Sequence, residues 1–345
     1  MTISIYETRT MMEAVRQMPP ARTFLLETFF PGVKEFTTKH VDFDIIKGKR
    51  KVAAYVAPIK AGKVVAKEGM TTKTLNPPYL KEKEPITPQE FFTREAGNTI
   101  YAPGDGPEQR AQRELGRILG DLDNRFTRAE EVQAASALNT GTVSCVGEGV
   151  NVQVDFGMPA AHKVTLTGTN LWTDTVNSNP LDDLVDWCNM VSQASGIVPQ
   201  KAVLGLDVAK AFINHPKVKD ILNNRRIQMG EIKPQELVPG VSYLGAINHA
   251  GVALDLYTYQ EWYVDASGNE QPMVPADKIW LGSSQTRNAR LYGAIQDLDA
   301  GGLAAMARFP KSWDEKDPSV RWVMLQSAPL VAMLQPDAFL SAKAV

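Results

Sequence analysis

Any catalysis in this chain would have to start from four histidines, two cysteines and the carboxylates near them. His40, His162, His215 and His249 are isolated, with no pair at i, i+4, so no helical metal site is visible. Cys145 and Cys188 are too few for a structural zinc site and do not suggest a secreted disulfide scaffold. Cys188 with a distant histidine could form a nucleophile pair. It falls, however, on the apolar side of a predicted helix, where a thiol behaves as a small buried hydrophobe. Asp182, Asp183 and Asp186 sit in the first turns of that helix and complement its dipole without any acid–base role. No glycine-rich phosphate loop ending in Lys-Ser or Lys-Thr is present, and no Gly-x-Ser-x-Gly elbow. Gly147 and Gly149 around Glu148 make too short a pattern to use. Tyr257, Tyr259, Trp262 and Tyr263 read either as a stacking platform for bases or as a strand packed on a core. The search for chemistry is nearly empty: no cofactor and no metal are expected, and a small-molecule enzyme resting on Cys188 is the outside reading.

The elements are more informative. Residues 107–139 contain no proline after Pro107 and no glycine except Gly116 and Gly120. Leu115, Ile118, Leu119, Leu122, Phe126, Ala129 and Val132 recur at helical spacing and define one face. Arg110, Arg113, Arg117, Arg125 and Arg128 share the other with Glu108, Glu114, Asp121, Glu130 and Glu131. Pro107 starts such a helix and Asn139-x-Gly141 stops it. Its length would be roughly 45–50 Å. It is an ordinary long core helix, or two helices broken near Gly120, or the spine of an extended, flat subunit.

The chain has 345 residues, enough for two domains, with 43% hydrophobic and 22% charged residues and a net charge of −2. That charge argues against a dedicated nucleic-acid binder. No secretory signal and no membrane-spanning run is expected, so the default compartment is cytosolic.

Before the long helix, residues 7–18 predict a short helix stopped by Pro19 and Pro20. A second apolar piece, Phe24 to Phe30, follows. Two short pieces make a poor core and read as an arm, packed on a neighbouring subunit or folded back on its own domain. Residues 39–83 predict a strand at Val41, Phe43 and Ile45, a charged turn at Lys47, Lys49, Arg50 and Lys51, and a return strand at Val52–Val56. The basic character continues through Lys60, Lys63 and Lys67. A long hairpin persists only against another surface: nucleic acid, an acidic patch on an adjacent subunit, or else it is a solvated loop. A connector with a short helix from Thr87 or Pro88 precedes the long helix.

After it, a strand at 150–156 leads to a second unit over 173–300. This unit starts with a helix from Asn179 and Pro180 ended by Gly196. A buried strand at Ala202–Leu204 and a helix capped by Asp207 follow, then strands. The tail, 301–345, predicts strands at 320–325 and 330–334 and should pack back on the long helix.

The order of these features carries a resemblance. The arm ends Phe29, Phe30, Pro31. The basic excursion runs from Asp44, Lys47, Gly48 and Arg50 to Ala57 and Pro58. Pro77, Pro78, Tyr79 and Lys83 follow, then the long helix, then Leu138, Thr140, Gly141 and Thr142. Further on come Asp155-Phe156-Gly157, Trp172 with Asp174, Asn179-Pro180-Leu181, Tyr257 and Tyr259 before Asp265 and Gly268, Tyr292, Gly293 and Ile295, and Lys311-Ser312-Trp313 with Asp317 and Pro318. Over essentially its whole length the chain resembles the major capsid proteins of tailed bacteriophages, the lambda-type family (capsid protein family E).

That resemblance implies an α+β Hong Kong-97-type capsid fold. It has an N-arm (1–38), an extended β-hairpin E-loop (39–83), a peripheral (P) domain (84–172) with the spine helix at 107–139, an axial (A) domain (173–300) and a return to the P domain (301–345). It also implies self-assembly as pentamers and hexamers into an icosahedral shell enclosing double-stranded DNA, held non-specifically. The implied partners are a separate scaffolding protein, a portal, a maturation protease and a decoration protein, with assembly in the host cytoplasm and no membrane. An encapsulin-like compartment shell is the alternative. Phe29, Phe30 and the basic residues Lys47, Lys49, Arg50, Lys51, Lys60, Lys63 and Lys67 are then candidates for contact between subunits, with Glu114, Asp121 and Glu130 on a neighbour's spine as acceptors. Gly116 and Gly120 are candidate flex points of the spine.

Overall fold

The computed structural model describes residues 5–18, 23–46, 70–87, 107–147, 149–223, 230–238, 240–265, 267–300 and 302–345. One helix dominates it: α3, Pro107–Thr140, 34 residues without a break. Its halves are buried differently. Leu115, Ile118, Leu119, Leu122 and Phe126 form a single stripe. Beyond Phe126 the stripe continues through Glu130, Ala134, Ala137 and Leu138, whereas Ala129 and Val132 are only half-buried. The helix stops at Gly141, which has φ +70°, a left-handed conformation that glycine adopts without penalty. A Cβ there would meet the Cβ of Met158 at 2.4 Å.

A three-stranded sheet lies on the first half of α3. Its order is β18 (Phe309–Lys316), β19 (Ser319–Ser327) and β4 (Leu80–Ile86), all antiparallel. Val323 and Leu325 of β19 and Ile86 of β4 face the helix stripe, together with Met11 from α1 (Thr8–Gln17). The tail thus returns to the helix through β19.

The second unit is built on a seven-stranded sheet. Its order is β7 (Lys163–Thr165), β21 (Leu340–Lys343), β14 (Lys278–Gly282), β8 (Lys201–Leu204), β11 (Val252–Tyr259), β10 (Val241–His249) and β9 (Gly230–Val238). The β8–β11 and β21–β7 pairs are parallel and the others antiparallel. Helices α4 (Pro180–Ser195), α5 (Leu206–Asn214) and α6 (Pro216–Asn223) accompany it. Ala202, Leu204, Leu256, Ile279 and Leu281 enter the core containing Leu184, Val191 and Phe212 of the helices. Val203, Tyr257 and Trp280 point into a different core, shared with the second half of α3. Burial on both faces explains the unbroken apolar run in β8. Two of the seven strands, β7 and β21, come from outside residues 173–300, so this sheet runs past the limits read from the sequence.

The remaining strands form small sheets. β1 (Gly32–Glu35) pairs in parallel with β15 (Ala289–Tyr292), which pairs with β20 (Pro329–Ala332). β2 (Val41–Ile46) pairs with β3 (Met70–Leu75), so the described partner of the first excursion strand is 70–75. The expected return strand at 52–56 lies outside the described residues, as does the short helix expected from Pro88. β5 (Thr142–Gly147) and β6 (Val150–Asp155) form a hairpin directly after α3. β12 (Trp262–Val264) with β13 (Glu270–Pro272), and β16 (Ile295–Asp297) with β17 (Gly302–Ala304), complete the set. Helix α4 ends at Gly196, φ +79°, as expected. Asn179 precedes it without a side-chain capping bond, and α5 is preceded by Gly205, with Asp207 in its first turn.

Candidate functional site

Three polar side chains in the buried half of α3 hold the arm and the tail. Glu131 is 2% exposed. Its carboxylate accepts the backbone N–H groups of Phe24, Leu25 and Leu26 at 3.0, 2.7 and 3.1 Å. These open the short helix α2 (Leu25–Phe29), so a glutamate from the spine does for the arm what an N-cap residue does for its own helix. Burial pushes the Glu131 carboxyl up, and the three N–H groups oppose that without cancelling it. Around this anchor Phe24 packs against Tyr257 and Tyr259, ring centroids 5.3 and 5.6 Å apart.

The preceding residue, Glu130, is 1% exposed. It accepts from Tyr292 Oη at 2.9 Å and from Arg308 Nη1 at 2.6 Å. Arg308 also donates from Nε to Asp123 at 2.6 Å and from Nη2 to Thr127. Burial alone would lower its pKa, but Glu130 and Asp123 hold the guanidinium charged. This is a buried, multiply bonded ion pair between spine and tail, the kind whose loss on one side is costly. Gln133 completes the set. Its Oε1 accepts Val331 N–H at 3.0 Å and its Nε2 donates to Pro329 O at 3.4 Å, so it serves the free edge of β20 as a neighbouring strand would.

Measured against this geometry, the residues expected at subunit contacts divide. Phe29 and Phe30 are 1% and 0% exposed, in the chain's own core, and Phe29 meets Phe339 edge-on at 5.7 Å. The arm folds back on its own subunit here, because α2 is capped and buried by the same chain. Glu130 is likewise not an open acceptor, being enclosed by Arg308 and Tyr292. Glu114 and Asp121 do lie on the outer side of α3, both bonded to Arg117 at 2.6 and 2.9 Å; Arg117 also reaches Glu84. Lys47, Lys49, Arg50, Lys51, Lys60, Lys63 and Lys67 lie outside the described residues. Gly116 and Gly120 sit within one unbroken helix, and a Cβ at either would meet nothing within 4 Å.

Where chemistry was sought, the structure gives structural roles. Cys188 is buried, and burial pushes its thiol up to about 12; Cys145 is pushed up to about 11. Thiols that hard to ionise are poor nucleophiles. Asp183 accepts from Trp172 Nε1 at 2.8 Å in the core of the second unit. The four aromatics split: Tyr257 and Tyr259 face the core, while Trp262 is 56% exposed. His162 and His215 are buried, the former bonded through Nδ1 to Phe339 O at 2.8 Å and the latter through Nε2 to Ser178 Oγ at 3.1 Å. Burial lowers both pKa values.

Sequence reasoning did not find the roles of Glu131, Gln133 or Arg308. The available signal was a polar run, Glu130-Glu131-Val132-Gln133, crossing the helix just where its apolar stripe should continue after Phe126.

The base of the excursion is tied down by its own chemistry. Thr72 donates to Asp44 at 2.7 Å, Lys73 Nζ donates to the Asp155 carbonyl, and Phe43 packs against Phe156, centroids 5.8 Å apart.

A family model described as phage major capsid protein E matches residues 7–344. The chain is 32% identical over 347 residues to the major capsid protein of Escherichia phage lambda, covering 98% of this chain and 99% of that one. It is 30% identical over 349 residues to the major capsid protein of Escherichia phage N15, covering 99% of each. Among solved structures, a prophage capsid protein from Escherichia coli CFT073 superposes with a TM-score of 0.74 at 20% identity, over 98% of this chain and 99% of that one. The mixed helix-and-strand architecture is the Hong Kong-97-type capsid fold. With the family model running almost from end to end and the lambda protein alignable over nearly its full length, the chain belongs to the phage major capsid protein E family.

Proposed function

We propose that this chain forms, as pentamers and hexamers, the icosahedral head of a tailed phage around double-stranded DNA. The observation that carries the reading is the match of residues 7–344 to a capsid family. The geometry is consistent with it: a rigid 34-residue helix, anchored at one half to arm and tail, offers its other half as a beam. In this reading residues 1–38 are the N-arm, 39–83 the E-loop, 84–172 with 301–345 the P domain, and 173–300 the A domain. Assembly takes place in the host cytoplasm with a scaffolding protein, a portal and a maturation protease, and a decoration protein reinforces the finished shell. The basic residues of 47–67 lie over a neighbour's spine near Glu114 and Asp121, and the DNA is held without sequence preference. Closure comes from repeated heterologous contacts, each weak and many together strong. The test is electron microscopy of the purified protein, alone and with its scaffolding protein. Closed shells of uniform diameter are expected; irregular aggregates or only monomers under both conditions would sink the reading.

A further inference from the structure

Two exposed apolar features stand out, and they complement each other. The first is a groove of about 580 Å³ between the middle of α3 and the β12–β13 hairpin. Along β12 alternate residues point outward, leaving Trp262 56% and Val264 64% exposed while Tyr263 turns into the core. On the helix wall Arg125 is engaged by Glu82 at 3.3 Å. Arg128 is exposed and, among the described residues, meets no carboxylate. Glu270 is the other carboxylate of the lining.

The second feature is a knob. Leu298 is 93% exposed, in the turn Leu298–Ala300 that follows β16. Asp297 and Asp299 flank it, and Lys311 Nζ holds both, at 2.9 and 2.6 Å. Asp299 N–H also donates to Asp297 Oδ1 at 3.0 Å. The turn is therefore fixed before it meets anything, which lowers the ordering cost of binding. Asp299 keeps 56% of its side chain exposed.

We propose that Leu298 of one copy seats in the helix–hairpin groove of a neighbouring copy, with its side chain on Trp262 and Val264 and with Asp299 facing Arg128. The proposal rests on the shell-forming reading above. The occupant follows from charge and shape. The groove offers an exposed cation beside an indole, and the turn offers an apolar tip beside a carboxylate that stays 56% exposed while Lys311 holds it. The patches are different surfaces of one chain, so the contact is heterologous and propagates around a ring instead of closing a two-fold dimer. An exposed tryptophan with an arginine is also the composition of a contact that dominates binding.

The test co-assembles two full-length variants, Leu298→Cys and Val264→Cys, and treats the shells with a short bismaleimide. The expected result is a band at twice the subunit mass in mixed shells and none in shells of either variant alone. Cys145 and Cys188 give little background because one is half-buried and the other buried. Mixed shells of normal diameter without that band overturn the contact while leaving the shell reading intact; unmodified protein that never forms shells is the separate failure of that reading. If the cysteine variants do not assemble, the charge pair decides. Arg128→Glu should lower shell yield about tenfold, and adding Asp299→Arg should restore it to within about twofold. A double variant no better than Arg128→Glu overturns the contact.

Discussion

At the residue scale, the most consequential groups are charges placed where the sequence pattern calls for hydrocarbon. Arg308 is the clearest. Removing it leaves the Glu130 carboxylate buried with only Tyr292 Oη as donor. Arg308→Met should therefore destabilise the unassembled subunit by about 3–5 kcal/mol, read as a shift of the urea midpoint. Arg308→Lys should recover part of that, since one ammonium cannot reproduce bonds to Asp123, Thr127 and Glu130 together. The buried histidines set a pH dependence. His162 and His215 have folded pKa values below the ordinary histidine value. The unfolded chain then binds more protons as pH falls, so their contribution is present above the unfolded pKa and is lost on acidification through it towards the lower folded value. Subunit stability should drop as the pH falls below about 6.5, the ordinary histidine value, and His162→Gln should flatten that slope even though it lowers stability at neutral pH. A slope identical to the parent's would remove His162 from the account.

At the scale of elements, the spine is two helices in function though one in geometry. Its first half buries a stripe against the β18–β19–β4 sheet, and its second half is enclosed and carries the polar anchors. Glu131 ties α2 to the second half. Glu131→Ala strands three N–H groups and should cost about 2–4 kcal/mol, with Glu131→Gln losing less because one oxygen acceptor survives. Faster proteolysis between α1 and the first turn of α2 in the Ala variant would mark the arm as the part released; cleavage unchanged there would mean that the arm is held by packing alone. The two glycines belong to the first half. Each Gly→Ala change enters open space and should stabilise the subunit by about 0.5–1 kcal/mol. As candidate flex points, Gly116→Ala with Gly120→Ala should leave assembly intact and slow the expansion of precursor shells. Expansion at the parent rate would leave the pair as ordinary solvent-side helix glycines.

For the molecule as a whole, membership of a capsid family makes the chain a structural component of a virion and not an enzyme. Its described parts are organised for that role: the arm is locked to the spine, the tail is locked to both, and the excursion is anchored at its base by β2, β3 and β6. Lys47, Lys49 and Lys51 changed together to Glu should yield folded subunits that sediment as monomers or capsomers and form no shells. Normal shells from this triple variant would rule out the basic excursion as an assembly contact. Raising the salt should weaken assembly of the parent in the same direction, since exposed charge pairs are screened over about 10 Å at 0.1 M salt.

The sequence by itself determined the long helix to within a residue at its ends, the helix at 180–195 with its terminal glycine, the first strand of the excursion, two of the tail's strands (those at 320–325 and 330–334) and, through the order of its motifs, the family. These depend on spacing and on residues with strong backbone preferences, Pro107, Gly141 and Gly196 among them, which act locally. Only the tertiary structure decided which side of a burial boundary the polar residues occupy. Glu114 and Glu130 look alike in sequence, both on a charged helix, yet one is bonded at the surface to Arg117 and the other is enclosed by Arg308 from 178 residues away. Phe29 and Phe30 look like a free arm until Glu131 and Phe339 are placed around them. Nor does sequence separation carry the mixing of β7 and β21 into a sheet otherwise built from 201–282. Long-range pairing has no local signature, because the groups that satisfy a buried charge or a strand edge are supplied by chain that is distant until the fold is made.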